Sequence, residues 1–331
     1  MAKIKLVNGK EFTLSSGTTL LDAASSAGIV FPYSCRTGRC STCKARVRRG
    51  HTSPLNHEMG ISSAEIAAGW ILTCVRTAET DVELDIDDLG GVQFPPPKTI
   101  PCRIVALEKL TSDVLRVKLR PPPTAAFSFI PGQYIDVIGF NGTRRSYSLA
   151  NANFIDRLLE LHVRSVDGGS MSSYWFNQAK VNDLLRINGP LGTFFLREFS
   201  KTDIFFLATG TGIAPIKAML ESLVEASEGR QPQSVTVLWG GRKPEDFYIN
   251  MAAILGRHRY IPVLSRPHQG WVGERGHVQD ILLSISPNFE KAAVYACGSD
   301  SMILSAKRVL SKAGLSLDRF YSDAFVASGN T

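Results

Sequence analysis

At 331 residues, with 44% hydrophobic and 20% charged residues, the chain has the make-up of an ordinary globular protein of two or three domains. No apolar run reaches the length of a membrane span. The net charge of +7 comes without a lysine-rich tract or an aromatic–basic array, which argues against a nucleic-acid binder.

Residues 1–90 carry ten Lys/Arg and ten Asp/Glu, so the basic excess lies wholly beyond them. A positively charged cleft for pyrophosphate-bearing cofactors accounts for it at least as well as nucleic acid does. The opening, MAKIKLVNGKEFTL, alternates like a strand and not like a targeting segment, so a cytoplasmic location is expected. Ile4 and Leu6, a turn at Asn8-Gly9, then Phe12 and Leu14 predict a β-hairpin. A short helix over Thr19–Ala24, a strand over Lys44–Val47, a helix near Ser62–Ala68 and a strand over Asp81–Ile86 follow, which is a β-grasp order.

Between the first helix and that strand lies PYSCRTGRCSTC. Cys35, Cys40 and Cys43 are spaced C-x4-C-x2-C, and Cys74 follows after a thirty-residue gap. That is the ligand spacing of a plant-type 2Fe–2S cluster, a one-electron carrier. Gly38 lets the backbone wrap closely, since it lacks a Cβ and tolerates positive φ. A zinc site usually shows paired C-x2-C units and only one is present, while disulfides would need an exported chain. Cys102 and Cys297 sit in apolar strand-like segments, where a small buried residue is the simplest reading.

Gly90-Gly91-Val92-Gln93-Phe94-Pro95-Pro96-Pro97 reads as a semi-rigid linker, placed at 91–101. From 102 to 199, six short strands between turn signals at Gly132, Asn141-Gly142, Gly168-Gly169 and Gly189-Pro190 predict an antiparallel β-barrel. From 200 to 331, strands at Asp203–Ala208, Val235–Trp239, Tyr260–Leu264 and Ala293–Cys297 alternate with helices, the first running from Ile213 to about Glu225. That pattern predicts a parallel α/β sheet.

On the barrel, Arg145 and Tyr147 fall on one side of a strand, where an Arg suits phosphate and a Tyr can stack on a flat ring. The glycines of Gly168-Gly169-Ser170-Met171-Ser172 can bring backbone N–H groups onto a pyrophosphate, although a plain loop would look the same. Gly210-Thr211-Gly212 follows an apolar strand and opens a helix, the setting of a nucleotide-binding turn, but Pro215 takes the place of a final glycine.

Taken together, PYSCRTGRCSTC, PGQYIDV, RSYSLAN, GPLGTF, GTGIAP, YACGS and FYSDAF resemble the ferredoxin-NADP reductase-like superfamily. Within it, the chain looks like the ferredoxin-fused NAD(P)H flavin reductases. These include reductase components of ring-hydroxylating oxygenases and CDP-6-deoxy-3,4-glucoseen reductases. The resemblance spans nearly the whole chain and implies a 2Fe–2S cluster, FAD and NADH, with NADPH left open. It implies that Arg145 contacts the flavin pyrophosphate, Tyr147 packs on the isoalloxazine and Ser148 sits near its N5. His162, Val163 and Arg164 would line the flavin, and Gly169 and Ser172 would hold its phosphates. Gly210, Thr211 and Gly212 would form the nicotinamide nucleotide site, with Cys297 and Gly298 near the reacting carbon. Phe325 would cover the flavin face until nicotinamide displaces it.

Two departures carry consequences. Arg266, in Leu264-Ser265-Arg266-Pro267, resembles the arginine that binds the 2′-phosphate in NADPH-specific members, and Arg242 is placed to assist. Arg36, Arg39, Lys44, Arg46, Arg48 and Arg49 crowd the cluster loop, which suggests an acidic docking patch on a protein acceptor. The expected function is electron transfer from NAD(P)H through FAD and the cluster to a terminal oxygenase component. The alternatives are a sugar dehydrase as acceptor, and a non-enzymatic redox sensor.

Overall fold

The computed structural model describes all residues except 140, 153–155, 198, 225–230, 257, 286 and 326–331. The described residues fall into two compact units, 1–93 and 94–325. The expected end of the first α/β helix at Glu225, and the barrel boundary near Glu198, lie outside the described residues.

In the first unit, β1 (Ala2–Leu6) and β2 (Glu11–Leu14) pair antiparallel with Ile4 opposite Phe12. Gly9 takes φ +87°, and the Leu6 N–H donates to the Lys10 carbonyl at 2.8 Å, which closes the expected turn. Helix α1 (Leu20–Ser26) starts at Thr19, whose hydroxyl accepts the Asp22 N–H. Next come β3 (Lys44–Arg49) and β4 (Thr52–Pro54). Helix α2 (Ser63–Ala67) starts at a reciprocal cap between Ser62 and Glu65. The unit ends with β5 (Trp70–Leu72), β6 (Arg76–Ala78) and β7 (Val82–Asp85).

The main sheet runs β2-β1-β7-β3-β5, with β1 and β7 parallel and the other pairs antiparallel. Ile4, Leu6, Leu20, Phe31, Leu72 and Leu84 form its fully buried core against α1. Each such side chain contributes about 1.5–3 kcal/mol, so the core outweighs the turn and caps in holding the unit together.

In the second unit the first sheet contains β8 (Lys98–Lys109), β9 (Val114–Arg120), β10 (Tyr134–Ile138), β11 (Arg144–Ser148), β12 (Leu159–Arg164) and, after α3 (Ser170–Ser173), β13 (Leu184–Leu191). Its order is β11-β10-β13-β8-β9-β12, antiparallel throughout. The two end strands meet through one bridge, Leu149 to Leu161, so the expected barrel is nearly closed. Lys98–Pro101 already pair with Gly189–Arg186, so β8 begins inside the segment read as linker. Phe94 stacks edge-on against Phe195, their ring centres 5.4 Å apart.

The second sheet follows: β14 (Asp203–Thr209), α4 (Ile213–Val224), β15 (Ser234–Gly241), α5 (Met251–Leu255), β16 (Arg259–Leu264), β17 (Glu274–Arg275), α6 (Val278–Ser284), β18 (Ala292–Ser299), α7 (Asp300–Lys312) and β19 (Phe320–Phe325). The order β17-β16-β15-β14-β18-β19 is parallel at every pairing. The strand order therefore reverses between β14 and β18. In an open parallel sheet that reversal, at the carboxyl ends of the strands, is where a ligand crevice forms.

Candidate cluster, flavin and nicotinamide sites

The four cysteines of the spacing motif come together in the first unit. Cys40, Cys43 and Cys74 are buried, and Cys35 is half-buried. They associate as two pairs. The hydrogen bond with Cys40 holds the Cys35 thiol down at about 5, and the contact with Cys74 drives the Cys43 thiol well up. Backbone N–H groups also reach the sulfurs, Thr37 to Cys35 and Cys35 to Cys40, each at 3.4 Å. Among the described residues no three His, Cys, Asp or Glu side chains gather as for a single metal ion. Neighbouring thiols with N–H groups on sulfur fit a 2Fe–2S cluster.

Gly38 shows how tightly the loop is wound. Its φ is +74°, and a Cβ there would lie 2.5 Å from the His57 carbonyl. The Gly60 N–H donates to the Gly38 carbonyl at 2.8 Å, lacing residues 55–60 across the cluster loop.

The basic crowding around the loop is partly neutralised. Arg36 pairs with Asp22, Lys44 with Glu65 and Arg48 with Asp85. Lys44 and Arg46 also stand over the Trp70 ring. Arg49 is exposed.

On the antiparallel sheet expected to bind flavin, β11 alternates as expected, with Arg145 and Tyr147 half-buried on one side and Ser146 exposed on the other. The Trp175 indole N–H donates to the Tyr147 hydroxyl at 3.0 Å, which fixes that ring, and burial pushes its phenol up to about 12. Ser148 is buried at the end of the strand. Gly169 stands at the start of α3, and the Ser172 hydroxyl accepts the Val166 N–H at 2.9 Å, holding the loop in place.

His162 and Val163 are buried. The His162 side chain sits between Glu160 at 3.0 Å and the Tyr248 hydroxyl at 3.2 Å. Burial lowers its basicity despite the Glu160 carboxylate. Arg164 reaches Asp113 at 2.9 Å and Asp246 at 3.1 Å.

The segments expected to bind nicotinamide converge at the strand-order reversal. Gly210, Thr211 and Gly212 form one tight turn between β14 and α4. A Cβ on Gly212 would lie 2.2 Å from the Cys297 carbonyl, and one on Gly298, at φ +140°, would lie 2.2 Å from the Thr209 hydroxyl. A Cβ on Gly210 would meet the Arg164 guanidinium at 2.6 Å, so the flavin sheet touches this turn.

The Cys297 thiol itself is fully buried. Desolvation pushes it well up, and Asp323, its partner in register on β19, pushes the same way. Phe325, at the end of β19, is paired with Ser299 and is 38% exposed. Ser265 donates to the Gly241 carbonyl from both its N–H, at 2.9 Å, and its hydroxyl, at 3.2 Å. The exposed Arg242 and Arg266 therefore leave neighbouring strand ends together.

Three family models cover most of the chain. They describe a 2Fe-2S iron-sulfur cluster binding domain over 5–79, an oxidoreductase FAD-binding domain over 101–196 and an oxidoreductase NAD-binding domain over 206–308. A CDP-6-deoxy-L-threo-D-glycero-4-hexulose-3-dehydrase reductase of Yersinia pestis is 40% identical over 97% of both chains. The chain belongs to the ferredoxin-fused NAD(P)H flavin reductases.

A terephthalate 1,2-dioxygenase reductase component of a Comamonas species is 31% identical over 96% of this chain and 95% of its own. Among solved structures, an Amycolatopsis cytochrome P450 reductase superposes with a TM-score of 0.78 over 99% of both chains, at 26% identity. As a member of this family the protein is an NAD(P)H-dependent iron–sulfur flavoprotein oxidoreductase that uses a 2Fe–2S cluster, FAD and NAD(H). Among the described residues no helix is long and apolar enough to cross a membrane.

Sequence reasoning missed Glu160, Lys217, Tyr248 and Asp323. Each is polar and buried or half-buried near a site segment. For Asp323 alone was there a signal, its place inside the motif FYSDAF.

Proposed function

We propose that this reductase accepts a hydride from NADH, or from NADPH, and delivers single electrons from its cluster to a separate protein. Bound FAD and the cluster supply the conversion of an electron pair into single electrons. The observation that carries the reading is the meeting of Gly210–Gly212 with Cys297–Gly298 at the strand-order reversal, with Arg164 of the flavin sheet against the same turn.

The residues take these roles. Cys35, Cys40, Cys43 and Cys74 ligate the cluster. Arg145, Gly169 and Ser172 bind the flavin phosphates. Tyr147, held by Trp175, packs on the flavin ring, and Ser148 lies near its N5. His162, Val163 and Arg164 support the ring from β12. Gly210, Thr211 and Gly212 bind the dinucleotide, Cys297 and Gly298 flank the reacting carbon, and Phe325 shields the flavin. Arg242 and Arg266 face the adenosine end, where two guanidiniums suit a 2′-phosphate.

The proposed domain division is 1–90, a linker shortened from 91–101 to 91–97 because β8 starts at Lys98, then 98–199 and 200–331; the family-model spans and the break between the two units support its order. The cytoplasm is the proposed location, since four thiols kept free for iron suit a reducing compartment.

Two acceptor classes are supported. A terminal oxygenase of a ring-hydroxylating system is supported by breadth. Reductase components for terephthalate, xylene/toluene and naphthalene oxidation match along at least 95% of this chain. A CDP-6-deoxyhexulose dehydrase is supported by closeness, 40% identity against 31%. In either case the docking face is proposed beside the half-buried Cys35, with Arg46 and Arg49 as its basic contribution.

The test is NADH-driven turnover of an oxygenase component and of a CDP-6-deoxyhexulose dehydrase, each mixed with the purified reductase. Product from one alone assigns the acceptor class. Product from neither overturns both readings.

A further inference from the structure

A chain of polar contacts, completed by one aromatic stack, joins the flavin sheet to the nicotinamide turn. It begins on helix α4, which opens directly after Gly210–Gly212. Lys217, one turn into that helix, donates to the Ala150 carbonyl at 2.8 Å, and Ala150 lies two residues past Ser148. The same ammonium reaches Glu221 at 2.6 Å and Glu160 at 3.2 Å. Glu221 in turn accepts the Ala152 N–H at 2.9 Å.

From Glu160 the network passes to His162 and from there to the Tyr248 hydroxyl. Tyr248 stacks edge-on against Trp239, 5.2 Å between ring centres, and the Trp239 indole donates to the Gly210 carbonyl at 3.1 Å. The path thus leaves the nicotinamide turn on one side and returns to it on the other. It touches the RSYSLAN segment and strand β12 on the way.

Burial gives these contacts their stiffness. The side chains of Lys217, Glu160 and His162 are 13%, 11% and 1% exposed. A buried ion pair is a weak source of net stability, because desolvation offsets its attraction. Its better use is geometric, since each charge accepts few alternative partners out of water. A mutual placement of two ligand-binding segments is what such a network can enforce.

We propose that Lys217, with Glu160, His162 and Tyr248, is a positioning residue that holds the nicotinamide turn at hydride-transfer distance from the flavin segment. The proposal rests on the functional reading above. Substrate affinity depends on the turn itself, whereas the rate of hydride transfer depends on how the turn and the flavin segment are placed. Breaking the clasp therefore separates the two.

The test uses the holoprotein in anaerobic stopped-flow, following flavin bleaching against NADH concentration. Lys217→Met is expected to lower the limiting reduction rate by about 10²-fold, the effect of a misplacement of about 1 Å, while the Kd for NADH and NAD+ changes by less than about threefold. Lys217→Arg is expected to restore the rate to within about tenfold of the parent, because it keeps the charge and most of the reach. Thermal midpoint and flavin content report folding. If Lys217→Met does not fold, Tyr248→Phe removes only the hydroxyl, and is expected to lower the limiting rate by about tenfold.

A limiting rate within about twofold of the parent in a folded variant overturns the proposal, as does an equal loss in NAD+ affinity. Failure of the parent protein itself to be reduced by NADH or NADPH would instead overturn the functional reading.

Discussion

Gly212, in the turn after β14, lies against the backbone of Cys297 on β18: a Cβ on the glycine would lie 2.2 Å from the cysteine carbonyl. Gly212→Ala must therefore push this turn away from the end of β18. The expected cost is about 1–3 kcal/mol of stability. The functional expectation is a raised Kd for NAD+, measured by calorimetry, with flavin and iron content retained. An unchanged Kd would mean that this contact is not part of the dinucleotide site.

Gly38 plays the matching part at the cluster. At φ +74°, with the His57 carbonyl 2.5 Å from any Cβ, alanine is excluded both by conformation and by space. Gly38→Ala should yield protein that keeps FAD but loses iron and acid-labile sulfide. It should still pass electrons from NADH to ferricyanide, an acceptor that the flavin can reduce directly. Full iron content in the variant would contradict the loop's role as the cluster wrap.

Coenzyme choice is expected to turn on Arg266. Its exposed guanidinium leaves β16 beside Arg242, joined through the Ser265 hydrogen bonds to Gly241. Arg266→Ala should raise the KM for NADPH more than that for NADH, since only NADPH presents a 2′-phosphate. Equal changes for both coenzymes would remove the arginine from the specificity argument.

Acid should weaken the fold in two stages. Burial lowers the basicity of His162 from its ordinary 6.5, so the unfolded chain takes up this proton first and stability falls as pH drops below 6.5. Burial alone would raise Glu160, but His162 and Lys217 bring it from 4.5 down to about 2, so a second loss follows between those values. Thermal midpoints measured against pH should be flat above about 7 and decline in both windows. His162→Gln should flatten the first decline. A midpoint that rises between pH 6.5 and 4.5 would contradict the assignment.

The basic loop is expected to act through fewer residues than the sequence suggests. Arg48 is already paired with Asp85, whereas Arg49 is exposed. Arg49→Glu should lower the acceptor association rate and its dependence on salt. Identical salt dependence in parent and variant would place the docking face elsewhere.

Much of this was legible from residue order because it is local. Asn8-Gly9 made its turn, Thr19 and Ser62 capped their helices, and the cysteine spacing needed no tertiary information. Strands β4, β5 and β6, three residues each, and the two-residue β17 carry too few side chains to show a period. β19 was legible as a motif but not as an edge strand, since parallel pairing with β18 leaves no local signature. The site divided in the same way. Glycines beside a strand end announced the turn at 210–212. Lys217 and Tyr248 lie 55 and 86 residues from His162, so nothing short of the folded sheets brings them to it. The neutralised basic residues Arg36, Lys44 and Arg48 were likewise invisible, because their acidic partners come from other elements.

In this protein one chain carries electrons from a nicotinamide through flavin to its own iron–sulfur cluster. Anaerobic mixing of the purified protein with NADH, followed by visible absorbance and by low-temperature electron paramagnetic resonance of frozen samples, tests it directly. The flavin should bleach first, and the signal of a reduced 2Fe–2S cluster should then grow in the same sample. A bleached flavin beside a cluster that stays oxidised would contradict the account.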